Sequence, residues 1–513
     1  MLIMRPITRS ALRPYVCPSC RSSSFSGRRR FGSKSDQAPD VYDVVCVGGG
    51  PAGLGLLAAL RASPVTSKLR VALVETQDLQ KARAWNLDAQ HFSNRVSSLT
   101  PSSVSFLQKI GAWEHLDTDR AQQYQEMQVW DGETGSRITF DWSTETSPFE
   151  DLPTVATMTE NTNLVRGLLS RIAASGDENL SIFSNTTVSS IENGTSQPDG
   201  PDLSAWPVLS LAPTNSSQSQ SPTRIAARLL VGADGINSPV RRFADIATEG
   251  WDYNRHGVVA TLSLADPDSP SFPIGTRTAY QRFLPVLGGP IALLPLPNKH
   301  ATLVWSTTVE NAAYLKSLSP KAFIAMVNAA FRLSSADLKY MMRMERPATP
   351  ASDYEDSHES ELTWRLQHTP QAAHVPPMVN GVQEGSVASF PLRFRHASTY
   401  ISPRVALVGD AAHVIHPLAG QGLNLGIGDV ASLSKTIEYA VTHGMDVGDI
   451  LTLERYTAER WAVNAKIGGV CDMLHKIYNV PGQGPVAWGR SLGLEVIDRL
   501  PFVKGFLMKN AEG

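Results

Sequence analysis

Apolar residues cluster in short unbroken runs: Val44-Val45-Cys46-Val47, Val71-Ala72-Leu73-Val74, Leu229-Leu230-Val231 and Val405-Ala406-Leu407-Val408. Runs of this length and β-prone composition predict buried strands. The first runs into Gly48-Gly49-Gly50-Pro51-Ala52-Gly53 and then into a helix-prone stretch, Leu54 to Leu60. The second stops at Glu75. The third reaches Gly232-Ala233-Asp234-Gly235, after which Ser238 can cap a helix that begins at Pro239, with Arg241 and Arg242 near its start. The fourth meets Gly409-Asp410, then Gly420 and Gly422 ahead of a helix from about Leu423. Strand, tight turn and helix in recurrence predict an α/β core. The stretch from about Trp251 to Arg395 is richer in β-patterned runs, such as Gly257 to Leu262 and Ala301 to Trp305, and predicts a separate sheet. Thr214 to Thr223 and Pro347 to Glu384 read as low-order inserts. From Glu454 to Met508 the pattern is mostly helical. Leu494, Ile497 and Leu500 share a face, Pro501 interrupts it, and Phe502, Val503, Phe506 and Leu507 form a second apolar face beside Arg499, Lys504 and Lys509.

The first glycine turn carries a definite chemistry. Gly48 permits the tight turn, Gly50 lets a pyrophosphate approach the backbone, and Gly53 lets helix and strand pack closely. The helix N-terminus offers free N–H groups and partial positive charge to phosphate. Glu75, at the end of the next strand, suits a ribose hydroxyl and repels a 2′-phosphate. Asp410, at the carboxyl end of another strand, suits a second ribose-type hydroxyl. Gly420 and Gly422 can bring backbone N–H groups close to a flat ring. His413 and His416 stand at no metal spacing from Cys or carboxylate, so no metal site is expected.

Composition narrows the picture. A net charge of -2, with 42% hydrophobic and 18% charged residues over 513 residues, fits a globular enzyme of two or three domains and no nucleic-acid partner. Four cysteines are too few for a disulfide framework, and Cys17-x-x-Cys20 lacks a second pair to complete a zinc site. Residues 1–35 carry Arg5, Arg9, Arg13, Arg21, Arg28, Arg29, Arg30 and Lys34, with no acid before Asp36. That is the composition of a mitochondrial transit peptide. No run is long enough to span a bilayer.

Further stretches carry a resemblance. Ser93 to Leu99, Val129-Trp130-Asp131, Glu160 to Leu164, Gln281 to Pro285, Gly289 to Pro297, Gly409 to Asn424, and Glu454-Arg455-Tyr456 with Arg460 and Asn464 are similar to the class A flavoprotein aromatic hydroxylases. Within them, the Gln281–Pro297 block and His413–Asn424 resemble the ubiquinone-hydroxylase branch.

The resemblance implies a Rossmann-like FAD-binding domain of the para-hydroxybenzoate hydroxylase type, discontinuous over 42–250 and 398–456. It implies a substrate-binding β-sheet domain over 251–397 and a C-terminal helical region over 457–513. Gly48, Gly50, Gly53 and Glu75 are then expected to hold the AMP half of FAD. Arg95 and Asn161 reach its middle, Asp234 and Gly235 sit near the pyrophosphate, and Asp410 binds the ribityl chain. Gly420, Gln421, Gly422 and Asn424 border the isoalloxazine, and Pro417 lines the reaction face. From the residues alone, Arg95 could instead be a surface ion-pair partner, and Asn161 a helix cap. The implied reaction is hydroxylation at C5 of a polyprenylated 4-hydroxybenzoate-type ring through a flavin C4a-hydroperoxide. A soluble aromatic is the alternative substrate. Electrons would come from ferredoxin and its reductase, or from NAD(P)H. The implied setting is a complex of ubiquinone-synthesis proteins, held peripherally on the matrix side of the mitochondrial inner membrane.

Overall fold

The computed structural model describes residues 38–479, apart from 87–90, 142–153, 177, 197–201, 215–222, 266–277, 345–356, 370–373 and 418–419. The transit-like segment 1–35, with Cys17 and Cys20, and the apolar stretch from Leu494 to Leu507 lie outside the described residues.

All four apolar runs are strands, and all four lie in one sheet. Strand Asp40–Val47 is central, flanked in parallel by Thr223–Gly232 and Val71–Val74. Val405–Leu407 extends the sheet beyond the former and Leu180–Phe183 beyond the latter, both in parallel. Val44, Val45 and Cys46 are fully buried, as the unbroken apolar pattern requires of a strand covered on both faces. Two antiparallel strands, Pro207–Pro213 and Thr186–Asn193, extend it from Thr223–Gly232. Helix Pro51–Ala62 starts with proline at its first position and packs against helices Asn161–Ala174 and Gln421–Thr442. Ser238 caps helix Pro239–Phe243 by accepting the Arg241 N–H at 2.9 Å, as read from the sequence.

The second sheet has nine strands and is built from more of the chain than 251–397. Its centre is the long strand Thr248–Leu264, paired with Ala388–Ala397 on one side and His300–Thr308 on the other. Gly289–Leu296 and Thr278–Leu284 follow, and the latter pairs in parallel with Glu126–Asp131. Strands Glu126–Asp131 and Arg137–Asp141 therefore join this sheet, although they precede it by more than a hundred residues in the chain. Val129 and Trp130 alternate across it into two different apolar clusters, which fixes their register. Helices Val309–Lys316, Pro320–Arg332 and Ser335–Met341 cover one face, where Phe323, Met326 and Phe331 pack with Leu293 and Trp305.

Two expectations are corrected. The insert read as low-order over Pro347–Glu384 contains helix Ser357–His368 and strand Val379–Val382. The helix buries His358 and Leu362 and carries an Arg365–Glu361 pair one helical turn apart. The boundary at 456/457 falls inside one helix, Ile450–Tyr478, because Tyr456 and Asn464 are both buried against the same neighbours.

Candidate flavin and active site

The glycine turns of the first and second segments touch. Gly48 has φ +109°, and a Cβ there would lie 2.2 Å from the Ala233 carbonyl oxygen, so only glycine fits. A Cβ on Gly53 would lie 1.9 Å from the Gly48 oxygen, which lets the helix start directly against the turn. Gly50 and Gly422, by contrast, have nothing within 4 Å of where a Cβ would stand. Both border a cleft of about 630 Å³, which Glu75, Asn161, Asp234 and Asp410 also line. Gly48 and Gly235 belong to the same wall. A cleft of this size is in the range for a bound small molecule, about 300–1,000 Å³.

The acids around it are held in place. Glu75 accepts the Gly49 N–H at 2.5 Å through one oxygen and the Gln77 N–H at 2.7 Å through the other. Asp234 accepts the Val240 N–H at 3.2 Å, while its second oxygen is buried and has no partner among the described residues. Burial pushes the Asp234 carboxyl above its usual range, against the pull of Ser238, the Val240 N–H and Arg241. Asp410 opens onto the cleft, but the surrounding protein raises its carboxyl too, with His413 opposing. Arg241 ties the second segment to the third by donating to the Ile236 oxygen at 2.6 Å and the Ala411 oxygen at 2.7 Å.

In the third segment, Gly420 precedes helix Gln421–Thr442 with φ +62° and packs its Cα side against Ser98. Asn424 is buried. Its Oδ1 accepts from the Thr100 N–H at 3.0 Å and Ser103 Oγ at 2.8 Å, and its Nδ2 donates to the Ser98 oxygen at 2.8 Å. The Asn424 amide is thus committed to the Ser98–Ser103 segment and acts through the backbone it fixes. Pro417 accepts the Gly420 N–H at 3.3 Å, which folds the loop toward the helix start. Gln421 opens that helix outside the cleft lining.

Two expected residues are placed differently from each other. Asn161 is the first residue of helix Asn161–Ala174, not its cap, which is Glu160. Its Oδ1 accepts from Ser97 Oγ at 2.6 Å on the cleft wall. Arg95 is exposed, has no ion pair among the described residues and does not line the cleft. Its carbonyl accepts the Asn161 N–H at 3.0 Å.

Sequence reasoning missed the support behind these turns. Asp429 is fully buried and accepts from the Gly409 N–H, His413, Arg460 and Asn464. An acid inside the apolar run Leu423 to Leu433, with Arg460 and Asn464 one turn apart, was the available signal.

Glycines that open onto a cleft, carboxylates on its wall and an unpartnered Asp234 oxygen together suit a dinucleotide. The fold and cleft define a dinucleotide-binding protein. The family model described as FAD binding domain matches residues 41–468. The ubiquinone biosynthesis monooxygenase COQ6, mitochondrial, of Schizosaccharomyces pombe is 38% identical, covering 99% of this chain and 98% of that protein. The Homo sapiens protein of the same name is 33% identical over 96% of this chain and 97% of its own length. In fold, the chain resembles the p-nitrophenol 4-monooxygenase PnpA of Pseudomonas putida, with a TM-score of 0.61, 15% identity and coverage of 93% and 99%. The chain belongs to the family of FAD-dependent ubiquinone-biosynthesis monooxygenases.

Proposed function

We propose that this protein hydroxylates C5 of a polyprenylated 4-hydroxybenzoate-type ring in mitochondrial ubiquinone synthesis. The observation that carries the reading is the meeting of all three glycine-bearing segments on one cleft, in a chain similar over its whole length to COQ6 proteins. FAD, when bound, supplies the activation of O2.

The chain's own residues do the rest. Gly48, Gly50, Gly53 and Glu75 hold the AMP half, with Glu75 accepting from a ribose hydroxyl. Asp234 and Gly235 stand at the pyrophosphate, with Asn161 and the Arg95 turn at the middle. Asp410 takes the ribityl hydroxyls. Gly422, on the cleft wall at the start of helix Gln421–Thr442, would bring its backbone amide to the ring and stabilise negative charge there, and Asn424 would hold that helix in position. Pro417 lines the reaction face. The nine-stranded sheet covers the ring and keeps water from it. A phenol ring is already electron-rich, so no protein base is assigned. Electrons arrive from ferredoxin and its reductase, or from NAD(P)H. The enzyme works with other ubiquinone-synthesis proteins, bound peripherally to the matrix face of the inner membrane.

The test is the set of quinone intermediates in mitochondria that lack this protein, before and after it is restored. A precursor missing only the C5 hydroxyl should accumulate and then clear. Normal ubiquinone in its absence would contradict the pathway and leave a soluble aromatic as the substrate.

A further inference from the structure

Helix Ile450–Tyr478 changes character along its exposed side. Its first half shows Glu454, Arg455 and Glu459 to solvent. From Trp461 to Lys476 the exposed residues include Trp461, Val463, Val470 and Met473, with lysines 466 and 476 as the only exposed charges. Val470 is 45% and Met473 52% exposed, unusual for side chains that gain by burial. The one acid in this half, Asp472, is buried, where it accepts from Tyr253 at 3.0 Å and pairs with Lys476 at 2.7 Å. The surface continues onto the second sheet. The Lys476 ammonium sits 4.5 Å over the ring of Trp251, which is itself exposed and stacked on Phe394. The acid beside it, Asp252, is engaged by Arg393 and Arg395.

We infer that this face, Val463 to Lys476 with Trp251, is where the protein rests on an anionic phospholipid surface. Val463, Val470 and Met473 with Lys466 and Lys476 on one helix side, and Trp251 beside Lys476, match the make-up of interfacial helices. The charge argues against the other occupants. A second copy docked by the same patch would set lysines against lysines. Protein interfaces are poor in lysine, which supplies both exposed charges of the helix between Trp461 and Lys476. The inference deepens the reading above, because a ring with a polyprenyl tail has to be collected from a bilayer.

The test uses the FAD-loaded protein isolated from mitochondria and vesicles of phosphatidylcholine with and without cardiolipin. The protein should float with the cardiolipin vesicles, release at high salt and bind the neutral ones weakly. Lys466→Glu should weaken that binding about tenfold or more, since each basic residue at such a surface is worth about fivefold. Val470→Ser with Met473→Ser should weaken binding to both vesicle types. Unchanged flavin spectrum and melting temperature show that the variants are folded. Binding by both variants equal to the parent, or no vesicle binding by the parent, would overturn the inference. Self-association of the parent that the variants abolish, without vesicle binding, would overturn it in favour of a second copy. Flotation is read without turnover. Vesicle binding lost in the variants of a protein that hydroxylates no phenol ring would support the surface and contradict the function.

Discussion

The Asp429 carboxylate, fully buried, accepts the Gly409 backbone N–H at 3.1 Å and so fixes the turn that presents Asp410 to the cleft. The same oxygen lies 2.5 Å from His413 Nε2. The other oxygen accepts from Arg460 Nε at 3.1 Å and Asn464 Nδ2 at 2.8 Å. Burial acts to raise this carboxyl, but His413, Arg460 and Asn464 outweigh it and hold it below its usual range. Gly409 itself has φ +59°, a conformation that the bond to Asp429 helps to keep.

Asp429→Asn should therefore act at a distance. It leaves Arg460 and His413 beside an uncharged amide, and breaking a buried pair costs about 3–5 kcal/mol. FAD retention should fall together with stability. Urea denaturation and the flavin-to-protein ratio check both. An Asp429→Asn protein that keeps its FAD and its denaturation midpoint would contradict the account.

Gly48→Ala should separate the first and second glycine turns, because its Cβ has no room beside the Ala233 oxygen. The positive φ adds strain of about 1–3 kcal/mol. The expected result is protein that folds less stably and purifies largely without flavin. Gly50→Ala, open to the cleft, should leave the apo protein's melting temperature unchanged while weakening FAD binding.

Glu75→Gln removes the charge but keeps an acceptor for the Gly49 N–H. Hydrogen bonds to charged groups are worth about 1.5–3 kcal/mol. FAD should bind about tenfold or more weakly, measured by flavin fluorescence titration, with little change in the apo protein's melting temperature. Unchanged affinity would remove Glu75 from the ribose site.

Two histidines set an acid limit on the fold. His416 is buried against Tyr253 and His475, and burial first, then His475, pulls it down to about 3. Burial and then Arg255 pull His475 down to about 4. Both are neutral in the fold, whereas the unfolded chain protonates them below about pH 6.5. The unfolded state then binds more protons, so stability falls as pH drops from about 6.5 toward 4, by about 1.4 kcal/mol per pH unit for each histidine. Chemical denaturation at pH 7.5, 6 and 5 should show that slope, and His475→Asn should reduce it.

The parts legible in the sequence were those set by local backbone demands. Gly48, Gly53 and the Ser238–Pro239 cap are fixed by turn and helix-start geometry, so four strands and two helix starts could be read in order. The second sheet was only half legible. Glu126–Asp131 joins it through a parallel pairing with Thr278–Leu284, and no local pattern announces a partner so distant. Helix Ser357–His368 was hidden because only His358 and Leu362 are buried, while Trp364 faces outward among polar positions. Asn424 and Asn161 were expected at the site, but their side-chain partners depend on tertiary packing. Asp429 escaped for the same reason, since its four partners come from two separate stretches of chain.

The most direct test of the account gives the FAD-loaded protein a reductant, 18O-labelled O2 and a short-tailed 4-hydroxybenzoate-type ring. The account predicts one labelled oxygen in the ring at C5, with O2 consumed in step with product. Oxygen consumed only to peroxide, with no label in any ring, would contradict it.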